Sequence, residues 1–196
     1  MLGVERTVSN TTTVYVFIDA ANLWEAQKTK GRFFDLAKLC KYLKQQHSAT
    51  AMKVYYYTAY PAEGTREYST APRYKFYTYL KKGLGFVVRK KPLKQIKRDT
   101  PEGQVVEEKG NMDVEMAIDA VNLIDAYDVA ILFTGDCDFL ALVNYIKNRQ
   151  KRVYIYSSRN NVSTEMRTGG HGYTDVLKVD VDIWGRRLRY REQNAE

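Results

Sequence analysis

The stretch VYVFIDA, from Val14 to Ala20, begins with five apolar or aromatic residues and then places an aspartate, Asp19, directly after them. Near-continuous apolar character over so short a length is typical of a strand buried on both faces, as in a parallel sheet. An aspartate at the carboxyl end of such a strand faces the edge where open α/β sheets bind ligands. The stretch therefore predicts a central strand and, next to it, a site.

Further apolar runs along the chain have the same character and alternate with segments of helical periodicity. The runs are MKVYYYTAY (Met52–Tyr60), GFVVRKKPL (Gly85–Leu93), VAILFTG (Val129–Gly135), VYIYSS (Val153–Ser158) and the weaker VLKVDVD (Val176–Asp182). The helical segments are Phe34–Leu43, Tyr74–Leu80, Asp138–Asn148 and, most regular of all, Val114–Ala126, with Val114, Ala117, Ile118, Val121 and Ile124 as its expected core. This alternation predicts βαβ units and a doubly wound α/β fold with a mainly parallel sheet flanked by helices.

Length and composition predict one domain over residues 13–185, preceded by a flexible lead (1–12) and followed by a basic tail (186–196) that forms a last helix or frays. Cys40 and Cys137 have no pairing or zinc-ligand spacing, and His47 and His171 are isolated. We therefore expect a reducing, cytoplasmic location, with no membrane span or signal segment. Whether the chain forms a homo-oligomer stays open.

The net charge of +8 and the pI near 9.3 suit a polyanionic partner, but many basic proteins bind no nucleic acid, so charge alone does not decide between the two. Basic residues are densest just before the Val114–Ala126 helix, in a turn-rich segment whose Thr100–Gly103 sequence suits a hairpin turn. The candidate nucleic-acid-binding residues are Arg89, Lys90, Lys91, Lys94, Lys97, Arg98 and Lys109, with Tyr57 and Tyr60 as possible stacking surfaces. The alternative is a solvated hairpin whose charges only aid solubility.

Three further aspartates have the positions expected of ligands. Asp136 and Asp138 follow the apolar run VAILFTG, and Asp113 begins the most regular helix. Each has an ordinary alternative, since Asp19 and Asp138 suit helix N-caps and Asp113 suits a helix dipole. Asp119 lies about 240° around the helix from Asp113 and is expected to point away.

Convergence of these acids would give them a common chemistry. If the strands before Asp19 and Asp136 are neighbours, the two carboxylates meet at the switch point of the sheet. Asp113 joins them only if the basic hairpin folds its helix back. Several carboxylates in one cleft require a compensating cation, and Mg²⁺ or Mn²⁺ bound there could activate water against a phosphodiester.

The motifs FIDAANL (Phe17–Leu23), KGNMDVEMAIDA (Lys109–Ala120) and TGDCDF (Thr134–Phe139), in this order, resemble those of the NYN domains, a branch of the PIN-like nucleases, and in particular the LabA-like group. VYIYSS and the following Ser163–Met166 resemble the closing block of that family. The resemblance implies a PIN-like fold and a metal site of Asp19, Asp113, Asp136 and Asp138, with Asn22 alongside. The middle motif departs from the family pattern, in which one residue usually separates Lys-Gly from the aspartate. Here two residues, Asn111 and Met112, stand between Gly110 and Asp113.

The favoured hypothesis is a Mg²⁺- or Mn²⁺-dependent endoribonuclease in which those four aspartates and Asn22 are catalytic and RNA is the partner. Two alternatives stay open: a non-catalytic RNA-binding or regulatory PIN-like module, and a DNA nuclease of the flap type. The first would bind RNA without turnover. The second would need a DNA-tracking element that the sequence does not obviously contain.

Overall fold

Six parallel strands form the central sheet of the computed structural model, which describes residues 11–61, 71–100, 103–180 and 182–188. The strands in chain order are β1 (Thr13–Asp19), β2 (Arg32–Phe34), β3 (Ala51–Tyr60), β4 (Val87–Pro92), β5 (Lys94–Thr100), β6 (Gly103–Lys109), β7 (Val129–Phe133), β8 (Arg152–Ser157), β9 (Gly172–Asp175) and β10 (Trp184–Arg187). The central sheet has the order β4-β3-β1-β7-β8-β9, and every pairing in it is parallel. The predicted α/β class with a parallel sheet is confirmed.

Helices connect the strands of the sheet. They are α1 (Ala20–Lys30), α2 (Leu36–Gln46), α3 (Ala71–Thr78), which continues into a π-helical turn (Tyr79–Gly83), α4 (Asp113–Asn122), α5 (Leu140–Asn148) and α6 (Thr164–Gly169). Short 3₁₀ turns cover Ile124–Ala126, Cys137–Phe139 and Val176–Lys178. Among the described residues, no helix is both long and apolar enough to cross a membrane.

Both faces of the sheet are covered, which explains the near-continuous apolar runs. Val16 and Ile18 of β1 pack into one core cluster with Leu39 and Leu43 of α2. Phe17, between them, points to the other face and packs with a second cluster that includes α4 and α5 residues such as Met116 and Val143. Alternate side chains of β1 therefore enter opposite cores, as a doubly wound fold requires.

Several predicted elements differ in the structure. Within the described part of the weak run VLKVDVD, Val176–Lys178 forms a 3₁₀ turn rather than a strand. The edge strand is β9 in the preceding glycine-containing segment. Trp184–Arg187 is a strand antiparallel to β2, so Arg186 and Arg187, expected in the tail, belong to a strand. Most of residues 1–12 and 186–196, and Pro101–Glu102 of the predicted turn, lie outside the described residues.

The regular helix is rotated relative to its predicted core. Val114 and Ile118 are 64% and 53% exposed, whereas Met116 and Ala120 are buried. Apolar residues occur on more than one side of α4, so periodicity alone could not choose the face that packs. The predicted basic hairpin does form, as the antiparallel pair β5–β6 immediately before α4.

Candidate metal and nucleic-acid site

Neighbouring strands bring the first two aspartates to one edge of the sheet. β1 pairs in parallel with β7, with Ile18 opposite Phe133. Asp19 is the last residue of β1, and Asp136 follows β7 by three positions. The prediction that these strands are neighbours is confirmed, and it places both carboxylates at the carboxyl edge, where such sheets form ligand sites.

Asp19 has a structural role as well as a position in this cluster. Its carboxylate accepts a hydrogen bond of 2.9 Å from the backbone N–H of Ala21, so it is the N-cap of α1. The pKa of Asp19 is raised to about 6, chiefly by burial and then by the nearby carboxylates of Asp113 and Asp136, against the opposing hydrogen bonds from the backbone N–H groups of Ala21 and Asn22. The capping alternative is therefore correct, and it coexists with membership of the acidic cluster.

Asp113 joins the cluster despite the irregular motif before it. It is the first residue of α4, Met112 is buried in the core, and the side-chain amide of Asn111 donates a hydrogen bond to its carboxylate. Burial raises the pKa of Asp113, as do Asp136, Asp138 and Glu115, while Lys91 opposes the shift. The β5–β6 hairpin thus returns the chain so that Asp113 faces Asp136.

Asp136 and Asp138 form the exposed rim of the cluster. Asp136 accepts a hydrogen bond of 3.0 Å from the backbone N–H of Asp138, so the cap at this turn is Asp136 and the expected capping role of Asp138 is wrong. Among the described residues, only Asp136, Cys137 and Asp138 form a group of at least three potential metal-ligand side chains, with their ligand atoms within 4.8 Å of one another. Asp19 and Asp113 lie beside this group, but their carboxylate oxygens are not within 4.8 Å of all three of its side chains.

Asn22 is held in a defined orientation by a residue that sequence analysis did not identify. Ser157, at the end of β8, donates a hydrogen bond of 2.9 Å to Oδ1 of Asn22, which leaves the amide nitrogen of Asn22 as the donor group. The position of Ser157 at the carboxyl end of a strand next to β7 was the available signal.

Asn161 is the second residue that the sequence did not indicate. Its Nδ2 is buried and has no hydrogen-bond partner within the part of the chain that the structure describes. It lines a cleft of about 390 Å³ together with Asp19, Asn22 and Asp136. Gly135 permits this approach, because a Cβ there would lie 2.2 Å from the backbone oxygen of Asn161.

A larger cleft, of about 1040 Å³, opens from the same acids. Asp19, Asp113 and Asp136 line one part of it, and aromatic side chains from α1, β2, α3 and the π-helical turn line another. The acids therefore stand inside a concave surface large enough for a substantial ligand.

The basic residues before α4 are only partly free. Arg89 pairs with Asp119 at 3.0 Å, Lys91 with Glu115 at 2.6 Å, and both Arg98 and Lys109 with Glu107. Lys90 lies 5.2–5.6 Å from the rings of Tyr60, Tyr74 and Tyr77. Lys94 and Lys97 are exposed, with no ion pair to another described residue.

Other side chains considered from the sequence have structural roles. Tyr57 is only 1% exposed, so its proposed use as a stacking surface is wrong. Asp119 accepts hydrogen bonds from the Tyr57 hydroxyl and from Arg89, in agreement with the expectation that it points away from Asp113. Nδ1 of His171 accepts from the backbone N–H of Val153, and Nε2 of His47 contacts the Tyr156 hydroxyl at 2.9 Å. Cys40 and Cys137 are free thiols.

The parallel α/β sheet with an acidic cluster at its carboxyl edge agrees with the PIN-like, nuclease-type fold that the sequence motifs resemble. Residues 13–177 match the NYN domain family, and the chain belongs to that family. It is 28% identical over 168 residues to the low amplitude and bright protein LabA of Synechococcus elongatus, covering 84% of this chain and 83% of that protein. A crystal structure of a protein of unknown function from Vibrio parahaemolyticus has the same fold, with a TM-score of 0.68 and 22% identity over 94% of this chain and 99% of that one.

Proposed function

We propose that the protein is a Mg²⁺- or Mn²⁺-dependent endoribonuclease whose catalytic residues are Asp19, Asp113, Asp136, Asp138 and Asn22. The observation that carries this proposal is the approach of three carboxylates around one cleft, where burial and mutual repulsion raise the pKa of Asp19 to about 6 and also raise that of Asp113. Carboxylates placed where burial and neighbouring acids disfavour their ionised form are typical of a functional site, whereas a stabilising network favours the charged form.

The residues present fit a hard divalent cation. The four aspartates, Asp19, Asp113, Asp136 and Asp138, supply only carboxylate oxygens, which are the donors that Mg²⁺ and Mn²⁺ prefer. Asp19 and Asp113 have pKa values raised by burial and then by their like-charged neighbours, so a bound cation would offset both the burial of charge and the repulsion. Such an ion, when bound, lowers the pKa of a coordinated water and neutralises charge that develops on a phosphodiester.

Amide groups beside the acids supply the complementary donors. Ser157 occupies the oxygen of Asn22, so the nitrogen of Asn22 is left to donate to a phosphate or sugar oxygen. Asn161 lines the same cleft, and its buried Nδ2, which has no partner among the described residues, is the second donor we assign. Neutral donors here bind a phosphate oxygen without competing for the metal.

The net charge of +8 and the exposed lysines on the β5–β6 hairpin support a polyanionic substrate, and the resemblance to the NYN nucleases makes RNA the proposed one. Lys94 and Lys97 are free of ion pairs to other described residues, and the exposed pairs of Lys91, Arg98 and Lys109 are weak enough to exchange for phosphate contacts. Arg89 is half exposed and can contact a phosphate while it stays paired with the more buried Asp119. We assign these residues, with Lys90, to the approach path of the substrate backbone.

The test is a cleavage assay with end-labelled single-stranded RNA, duplex RNA and single-stranded DNA, in Mn²⁺, Mg²⁺ or EDTA. We expect internal RNA cuts with either metal, none in EDTA, and a loss of at least about 100-fold for Asp136→Asn, as for removal of one electrostatic group at a reacting centre. Asp125→Asn is the charge-matched control, because Asp125 is exposed beyond α4 and away from the cleft.

Each other outcome has a definite meaning. Salt-dependent RNA binding without cleavage in either metal would reject the nuclease proposal and support a non-catalytic RNA-binding module. Preferential cleavage of DNA would support a DNA nuclease. Equal cleavage activity of Asp136→Asn and Asp125→Asn would show that the acidic cluster has no role in the reaction.

A further inference from the structure

The larger cleft continues from the acids to a group of aromatic side chains to which the proposed chemistry assigns no role. This group, here termed the aromatic wall, consists of Trp24, Phe33, Phe76 and Tyr79, with Arg186 beside it. Trp24, Phe76 and Tyr79 are 41%, 37% and 47% exposed. Exposed aromatics scattered singly are ordinary, but several in one concave surface indicate a binding site.

Trp24, Phe33 and Arg186 of the aromatic wall contact one another through Phe33. The rings of Trp24 and Phe33 have centroids 6.2 Å apart, tilted by 35°. The guanidinium of Arg186 lies 5.0 Å from the centroid of Phe33. Tyr79 begins the π-helical turn, a feature that often marks functional positions, and Gly83 leaves room for its ring.

The fold sets the distance between the aromatic wall and the carboxylates. Asp19 caps α1 and Trp24 lies five residues further along it, so the two are separated by about 7.5 Å along the helix axis, at 1.5 Å per residue. Both residues also line the larger cleft, so a strand whose phosphate lies at the acids can continue along the cleft to Trp24.

We propose that the aromatic wall is a base-stacking subsite that binds an unpaired nucleobase of a single-stranded nucleic acid beside the carboxylate cluster. Ring faces stack on any base, and Arg186 adds a cation that can contact either a base face or a phosphate. In a duplex the bases are stacked inside and cannot reach the cleft, so the subsite selects single strands. The subsite rests on the nuclease function proposed above and takes the stacking role once expected for Tyr57.

The test measures binding in EDTA, where no cleavage is expected, with a dye-labelled twelve-nucleotide oligouridine followed by anisotropy. Trp24→Leu and Phe33→Leu should each weaken binding by roughly 10-fold, since stacking contributes about 1–3 kcal/mol per base. The matched controls come from a second arginine–aromatic pair, Arg149 over Tyr145 at 5.1 Å, which lies on and just after α5 outside the cleft. Tyr145→Leu should bind within twofold of the parent, and Arg186→Gln should weaken binding more than Arg149→Gln.

Intrinsic fluorescence gives a second readout that does not depend on a variant. The chain has two tryptophans, and Trp184 is 3% exposed, so emission quenched by an added base reports on Trp24. Unlabelled oligouridine should quench this emission, and the same strand in a duplex should not. Equal quenching by duplex, unchanged affinity of Trp24→Leu and Phe33→Leu, or no oligonucleotide binding at all would overturn the subsite.

The two proposals fail separately. Quenching and variant effects in EDTA without any cleavage in Mn²⁺ would retain the subsite and reject the nuclease. Cleavage in Mn²⁺ with unchanged affinity of both aromatic variants would retain the nuclease and reject the subsite.

Discussion

The hydroxyl of Tyr57 donates a hydrogen bond of 2.9 Å to the carboxylate of Asp119, and Arg89 contacts the same carboxylate at 3.0 Å. Tyr57 is 1% exposed, so Asp119 satisfies a donor that burial would otherwise leave unpaired. Asp119 and Asp113 lie on one helix, yet only Asp113 interacts with the other cluster carboxylates. Asp119 of α4 thus stabilises the fold, whereas Asp113 of the same helix belongs to the proposed metal site.

Asp119→Ala should destabilise the fold by about 1–3 kcal/mol, because it leaves the Tyr57 hydroxyl buried without an acceptor. Urea unfolding measures the loss. In a Tyr57→Phe background the same change should cost much less, since the orphaned donor is gone. RNA cleavage per folded molecule should be unchanged, and a loss comparable to that of Asp113→Asn would contradict the structural role.

Asp19→Asn should raise the melting temperature at pH 7.5 in EDTA. The raised pKa of Asp19 means that its charged form destabilises the folded state, by roughly 1–2 kcal/mol for a part-buried group, and asparagine keeps the N-cap. Thermal unfolding measures the change. Added Mn²⁺ should stabilise the parent and not the variant, because ligand binding to the folded state shifts unfolding. Lower stability of the variant in EDTA would argue against repulsion at this site.

Gly135→Ala should destabilise the protein by about 3 kcal/mol or prevent folding. Its Cβ would lie 2.2 Å from the backbone oxygen of Asn161 and 2.6 Å from Cα of Val162, and backbone cannot yield as a side chain can. Gly185→Ala is the control, because nothing lies within 3.4 Å of the added Cβ. Urea unfolding of both variants, with soluble yield, decides whether the approach of residue 161 requires glycine.

His47 should make stability fall as the pH drops below its ordinary pKa of 6.5. Burial, and then Arg152, lowers the pKa of folded His47, so the unfolded chain takes up a proton that the folded chain does not. This contribution is complete above pH 6.5 and is lost as the pH falls toward the lowered pKa. The free energy of unfolding in urea is measured from pH 8 to pH 5 for the parent and for His47→Gln, and the difference between them gives the contribution of His47. A difference that does not change with pH would reject the assignment, and His171→Gln is the comparison variant.

Lys94→Gln and Lys97→Gln should each weaken RNA binding and lower the slope of log affinity against log salt by about 0.7, the value for one phosphate contact to a single strand. Binding at several salt concentrations in EDTA measures the slope. Lys41→Gln, an exposed change on α2, removes the same charge without the contact and should leave the slope unchanged. Equal slopes in all three variants would mean that the hairpin lysines serve solubility alone.

Local pattern predicted most of the sheet and the acids at its edge. Asp19 and Asp136 could be located because each follows a short apolar run, and a parallel α/β sheet places the carboxyl ends of its strands together. The basic hairpin before α4 was recognisable from its charges and turn residues. These features depend on neighbours in sequence, which the sequence displays directly.

Contacts between distant segments were decided only by the tertiary structure. The periodicity of α4 could not show that Met116 packs while Val114 is exposed, because apolar residues occur on several sides of that helix. Nothing near Asn22 in sequence indicates the hydrogen bond from Ser157, 135 residues away. The aromatic wall is likewise assembled from α1, β2, α3 and the following turn, with Arg186 from β10. The sequence by itself thus determined which strands carry the acids. Packing, which depends on shape complementarity across the whole chain, decided which side chains from distant segments surround those acids.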